Sequence, residues 1–110
     1  MVRHVILWQL QDGLSASEKE SVKAAIKSGL EGLKDKVDGV SEITVFTQPL
    51  ASSNTDIMLD AYFADAAALE RYAAFPEHIQ IAGTIIKPNV KSRICMDFEV
   101  EQSAGDGIAS

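Results

Sequence analysis

Val2-Arg3-His4-Val5-Ile6-Leu7-Trp8-Gln9-Leu10 is the stretch that decides the fold. Valine, isoleucine and tryptophan favour a pleated strand, and the run stops at the turn pair Asp12-Gly13. Alternation puts His4, Ile6, Trp8 and Leu10 on one face and Arg3, Val5, Leu7 and Gln9 on the other. Both faces are largely apolar, which predicts a strand buried on both sides. Such a strand needs one layer above it and another below.

The sequence that follows supplies one of those layers. Ser15 precedes Glu18 by three positions and Ser17 precedes Glu20 by three, so either pair can form a capping box. Val22, Ile26, Leu30, Leu33 and Val37 then recur at helical spacing, predicting a helix over about residues 16–36. Lys19, Lys23 and Lys27 form a ridge that reads as a solvated face. After Asp38-Gly39, residues 40–47 read as a strand with Ile43 and Val45 on one side, and 48–54 read as a loop. Residues 55–63 read as a third strand, with Ile57, Leu59, Ala61 and Phe63 opposite Met58, Asp60 and Tyr62. Asp65 suits the N-cap of a helix reaching about Ala74. Pro76 restarts a second segment, which Lys87-Pro88-Asn89 stops. Residues 90–100 make the last strand, with Ile94, Met96 and Phe98 opposite Arg93, Cys95 and Asp97.

The order β-α-β-β-α-β predicts an α+β, ferredoxin-like fold: a four-stranded antiparallel sheet with its helices on one face. Those helices leave Val5, Leu7, Met58, Tyr62, Ile94, Met96 and Phe98 uncovered. An apolar patch of that size marks an interaction surface, and its simplest occupant is a second copy of the chain. A homodimer through the sheet face is therefore expected. One domain over 1–100 and a flexible tail over 101–110 complete the organisation.

The composition narrows the function classes. The 110 residues suit a single domain, and 46% apolar content is that of a folded protein. Sixteen acids against ten bases leave a net charge of -6, and no basic run offers itself to nucleic acid or an anionic membrane. No apolar run reaches the ~18 residues of a membrane span, and no secretory leader is legible. The single cysteine, Cys95, rules out an internal disulfide and a cysteine-rich zinc site. A cytoplasmic protein with a reduced thiol is the expectation, Cys95 being read as a buried core thiol. Asp60 and Asp97 need partners, for which Arg3 and Arg93 are candidates.

Four stretches then carry a resemblance: the opening MVRHVILWQLQD, the segment YFADAAALERY from Tyr62 to Tyr72, the turn FPEH from Phe75 to His78, and MDFE from Met96 to Glu99. In order and spacing they resemble the stress-responsive A/B barrel family of dimeric α/β barrels, over about residues 1–100. The resemblance implies two ferredoxin-like subunits packed sheet against sheet. Olivetolic acid cyclase-like members of that family use a tyrosine on the second helix and a histidine after the following proline. Those roles fall on Tyr72 and His78. Where many members read H-P-x-H, this chain has Phe75 in the first position.

Tyr72 and His78 are accordingly the candidate catalytic pair. A neutral His78 would take a proton next to a carbonyl, and Tyr72 would donate its hydroxyl to the developing enolate oxygen. This chemistry needs no cofactor. His4, Ile6, Trp8 and Leu59 are the candidate substrate-binding residues, in a pocket between helices and sheet with Val22 or Ile26 nearby. The two histidines lack H-x-H or H-x-x-x-H spacing, so no metal site is expected. Two readings stay open. One is a homodimer that binds a small apolar or carbonyl-containing molecule, with cyclase- or isomerase-like acid–base catalysis. The other is a non-enzymatic, stress-associated structural dimer.

Overall fold

The computed structural model describes residues 1–101; the part of the expected tail from 102 to 110 lies outside the described residues. The elements run β1 (Val2–Leu10), α1 (Ala16–Glu31), β2 (Val40–Phe46), β3 (Ile57–Phe63), α2 (Ala66–Ala74) and α3 (Pro76–Ile81). A π-helical segment (Ala82–Ile86), the short α4 (Lys87–Asn89) and β4 (Val90–Glu99) follow. The four strands form one sheet in the order β2-β3-β1-β4, with every neighbouring pair antiparallel. This is the ferredoxin-like arrangement that the sequence predicts.

Local chemistry fixes the element ends. Ser15, the first of the two possible caps, takes the capping box: its hydroxyl accepts from the Glu18 amide, and the Glu18 carboxylate accepts from the Ser15 amide. Asp65 caps α2 by accepting from the Ala68 amide. Pro76 opens α3, where its missing N–H costs nothing. α1 ends at Glu31, short of the expected 36. Leu33 and Val37 are nevertheless buried, carried on the turns that follow the helix. Helical spacing marked their burial correctly and their backbone incorrectly.

The core lies between helices and sheet. β1 and β3 alternate strictly, sending His4, Ile6, Trp8 and Leu10, and Ile57, Leu59, Ala61 and Phe63, into it. Ile26 and Leu30 from α1, Ala68 and Tyr72 from α2, and Ile86 close it from above. The other face of β1 is half-buried, not fully covered as its composition predicts. Arg3 there holds Asp60 through two nitrogens, at 2.8 and 3.0 Å, and its guanidinium also lies over the Tyr62 and Phe98 rings. Beside them Phe46, Ile94 and Met96 stand exposed. No helix among the described residues is long and apolar enough to cross a membrane.

Candidate functional site

Tyr72 comes from the buried stripe of α2, together with Ala68 one turn earlier. The chain breaks at Phe75, whose extended backbone joins α2 to α3, and returns His78 against it. The Tyr72 and His78 rings lie 4.5 Å apart between centroids. Tyr72 also stands 5.1 Å from Phe63 and 6.1 Å from His4. Among the described residues the Tyr72 hydroxyl, His78 Nδ1 and Trp8 Nε1 are buried without a hydrogen-bond partner. A buried polar atom left unpaired is costly, by about 1–3 kcal/mol. Three such atoms around one region single it out.

Burial separates the protonation states of the pair. It pushes the Tyr72 phenol well above its usual range, keeping it a donor. It pushes His78 below 6.5, the Ala73 backbone acting the other way while His4 and Arg93 lower it further. Burial thus favours the neutral imidazole of His78 near pH 7. A protonated donor beside a neutral base is the assignment that environment-tuned acid–base sites rely on.

A cavity of about 540 Å³ opens beside His78. Ile6 and Trp8 from β1 form its floor, Ile86 and Val90 contribute apolar wall, and Lys87, Lys91 and Arg93 stand around it. The structure brings Ile6, Trp8 and His78 onto this cavity. Tyr72 is not on its wall but sits behind the His78 ring. Leu59, Val22 and Ile26 do not line it, and Leu59 and Ile26 are closed in the core. The cavity lies toward β4, because β4 is the edge strand that the helices leave bare.

His4 does not line the cavity either; it takes a partner that alternation alone does not reveal. Register pairs His4 with Asp97 across β1 and β4, and His4 Nδ1 hydrogen-bonds the Asp97 carboxylate directly. Asp97 therefore pairs with His4 and not with an arginine. Cys95, expected in the core, is exposed on the same face, its Sγ 3.8 Å from His4 Nδ1 and 3.6 Å from Asp97 Oδ1. Its position on the bare edge explains the difference. Burial and the Asp97 carboxylate push the thiol upward, away from the thiolate. His4, Cys95 and Asp97 present ligand atoms within 4.8 Å of one another, a set that motif spacing could not disclose. The direct His4–Asp97 hydrogen bond uses the atoms that a cation would need.

A family model for the stress responsive A/B barrel domain matches residues 2–100. The chain belongs to this family. Among solved structures it is similar to a dimeric protein of unknown function and ferredoxin-like fold from Bacteroides fragilis. The two are 30% identical, with a TM-score of 0.83, over 90% of this chain and 95% of that one. A dimeric ferredoxin-like protein of unknown function from Thermobifida fusca is 22% identical, with a TM-score of 0.74 and 90% of each chain covered. A hydroxynitrile lyase from Passiflora edulis shares the fold at 13% identity and a TM-score of 0.70, over 93% of this chain and 94% of that one. No curated protein matches the chain. Among these structures the shared ferredoxin-like fold occurs in dimeric proteins and in a hydroxynitrile lyase.

Proposed function

We propose that this A/B barrel protein is a homodimer that binds a small carbonyl-containing molecule beside His78 and moves protons on it without a cofactor. The observation that carries the reading is the pair of buried, unpartnered groups, the Tyr72 hydroxyl and His78 Nδ1, in rings 4.5 Å apart, of which the His78 ring lines an open cavity. His78 acts as base on a C–H next to the carbonyl. The Tyr72 hydroxyl, one ring deeper and off the cavity wall, is the donor for the oxygen on which enolate charge develops, reached once the His78 ring turns aside. Trp8 Nε1 is a further donor for the bound molecule. The apolar outer face of the sheet, with Phe46, Ile94 and Met96 exposed, supports the dimer.

The test is α-proton exchange. An aryl ketone incubated with the protein in D2O is followed by NMR. Catalysed deuterium uptake is expected at the α-carbon, reduced ~10²–10⁴-fold in His78→Ala and, for a lost donor, ~10²–10³-fold in Tyr72→Phe. Exchange no faster than in buffer, or the same in His78→Ala, would leave the structural-dimer reading in its place.

A further inference from the structure

We infer that the molecule bound beside His78 is an organic anion, with an apolar body seated on Ile6 and Trp8 and a carboxylate held at the β4 edge. The inference rests on the proposed binding site and adds the chemical class of its ligand. The chain as a whole is acidic, at -6, yet Lys87, Lys91 and Arg93 all line this one cavity and no aspartate or glutamate does. Three of the ten lysines and arginines thus converge where the surface would otherwise repel an anion.

The backbone builds this convergence. Arg93 pairs with Trp8 in the β1–β4 register, so both stand on the helix side of the sheet. The register shifts between Gln9 and Leu10, which face Ser92 and Val90, leaving Lys91 as the extra residue of a bulge. A bulge re-aims a side chain at a sheet edge. Lys91 lines the cavity while its ammonium holds Asp12 at 2.8 Å. Lys87 comes from the other wall, in α4, directly after the π-helical segment. Lys87 and Arg93 have no ion-pair partner among the described residues. Two cations without an ion-pair partner, one from the helical side and one from β4, on a largely apolar cavity select a ligand with one charged end. The volume of about 540 Å³ suits a small aromatic or branched acid.

The probes are 4-phenylbutanoate and its uncharged primary amide, titrated by calorimetry with the Trp8 indole N–H followed by NMR. The acid should bind about tenfold or more tightly than the amide at low salt, and the ratio should shrink as salt rises. Arg93→Gln and Lys87→Gln should each narrow that ratio; both positions lie at the surface, so folding is preserved, which circular dichroism checks. Equal affinity for acid and amide, with the Trp8 signal moving for both, would overturn the anion inference and leave the binding site standing. An acid preference that survives the double substitution would overturn it as well. A preference that behaves as expected in a protein without α-proton exchange would sustain the inference and remove the acid–base reading. If neither probe moves Trp8, both fall together.

Discussion

The two faces of this sheet are made from the same strands and have opposite fates. On the helix side, Phe63 of β3 is 0% exposed; on the outer side, Phe46 of β2 is 52% exposed. The chain's own helices complete the first face. Nothing among the described residues covers Phe46, Ile94 or Met96 on the second. The helix side also has an unfinished strip, because α1 and α2 lie over β1, β2 and β3 and leave β4 at the edge. Covered, uncovered and half-covered sheet thus become core, exposed apolar face and open cavity. Position in the sheet order, and not apolar content alone, decides which residues remain open.

The comparison can be broken by the same residue type on each face. Phe63→Ala should lower unfolding free energy by about 3–5 kcal/mol, read as a shift in urea midpoint. Phe46→Ala should leave the isolated subunit within about 0.5 kcal/mol. Equal losses for the two would show that the outer face stabilises the single chain as much as the helix face does. Next in size is the dimer. Met58→Lys or Phe98→Lys places an unpaired charge in the proposed sheet-to-sheet contact and should weaken association by about 10²-fold or more, some 2.7 kcal/mol. Sedimentation that gives the same assembly for both variants would move the contact off this face.

Gly39 sharpens the contrast at the point where the helix layer meets the sheet. Its φ is +91°, and a Cβ there would meet the Ala68 Cβ at 2.6 Å and Arg71 Nη2 at 2.9 Å. Arg71 is meanwhile occupied in donating to the Asp38 carbonyl. Gly39→Ala combines backbone strain with a clash against α2, and should cost about 1–3 kcal/mol. A thermal midpoint equal to that of the unaltered protein would show that this seam is looser than its distances imply.

The alternation of β1 and β3, the Ser15 and Asp65 caps and the Pro76 break were legible in the sequence because each is a local signal. So was the neighbourhood of Tyr72 and His78, through a helix stripe and a proline. Three things were not. The π-helical turn over Ala82–Ile86 shifts the backbone bonding by one residue, the Lys87 N–H donating to the Ala82 carbonyl just ahead of Pro88, which has no N–H of its own. Helical spacing is blind to that shift. The His4–Asp97 contact joins residues 93 positions apart, and needs a register that no single strand contains. The exposure of Cys95 follows from β4 lying at the sheet edge, which the alternation within β4 does not encode.

The smallest expected effect belongs to the helix side alone, since neither histidine stands on the outer face. His78 titrates below 6.5 in the folded chain because burial disfavours its cation, with His4 and Arg93 adding to the effect. The unfolded chain takes up this proton near 6.5, before the folded one does. Stability therefore falls as pH drops from about 6.5 toward the folded value, and the loss is complete below both. The same titration removes the base, so α-proton exchange should decline with a midpoint below 6.5. Arg93→Gln deletes one of the cations that opposes protonation, so it should move that midpoint upward toward 6.5. The urea midpoint at pH 7.5 and 5.5, compared between the protein and His78→Gln, isolates the group. A smaller pH-dependent drop in His78→Gln is expected, whereas an identical drop would show that His78 does not carry it.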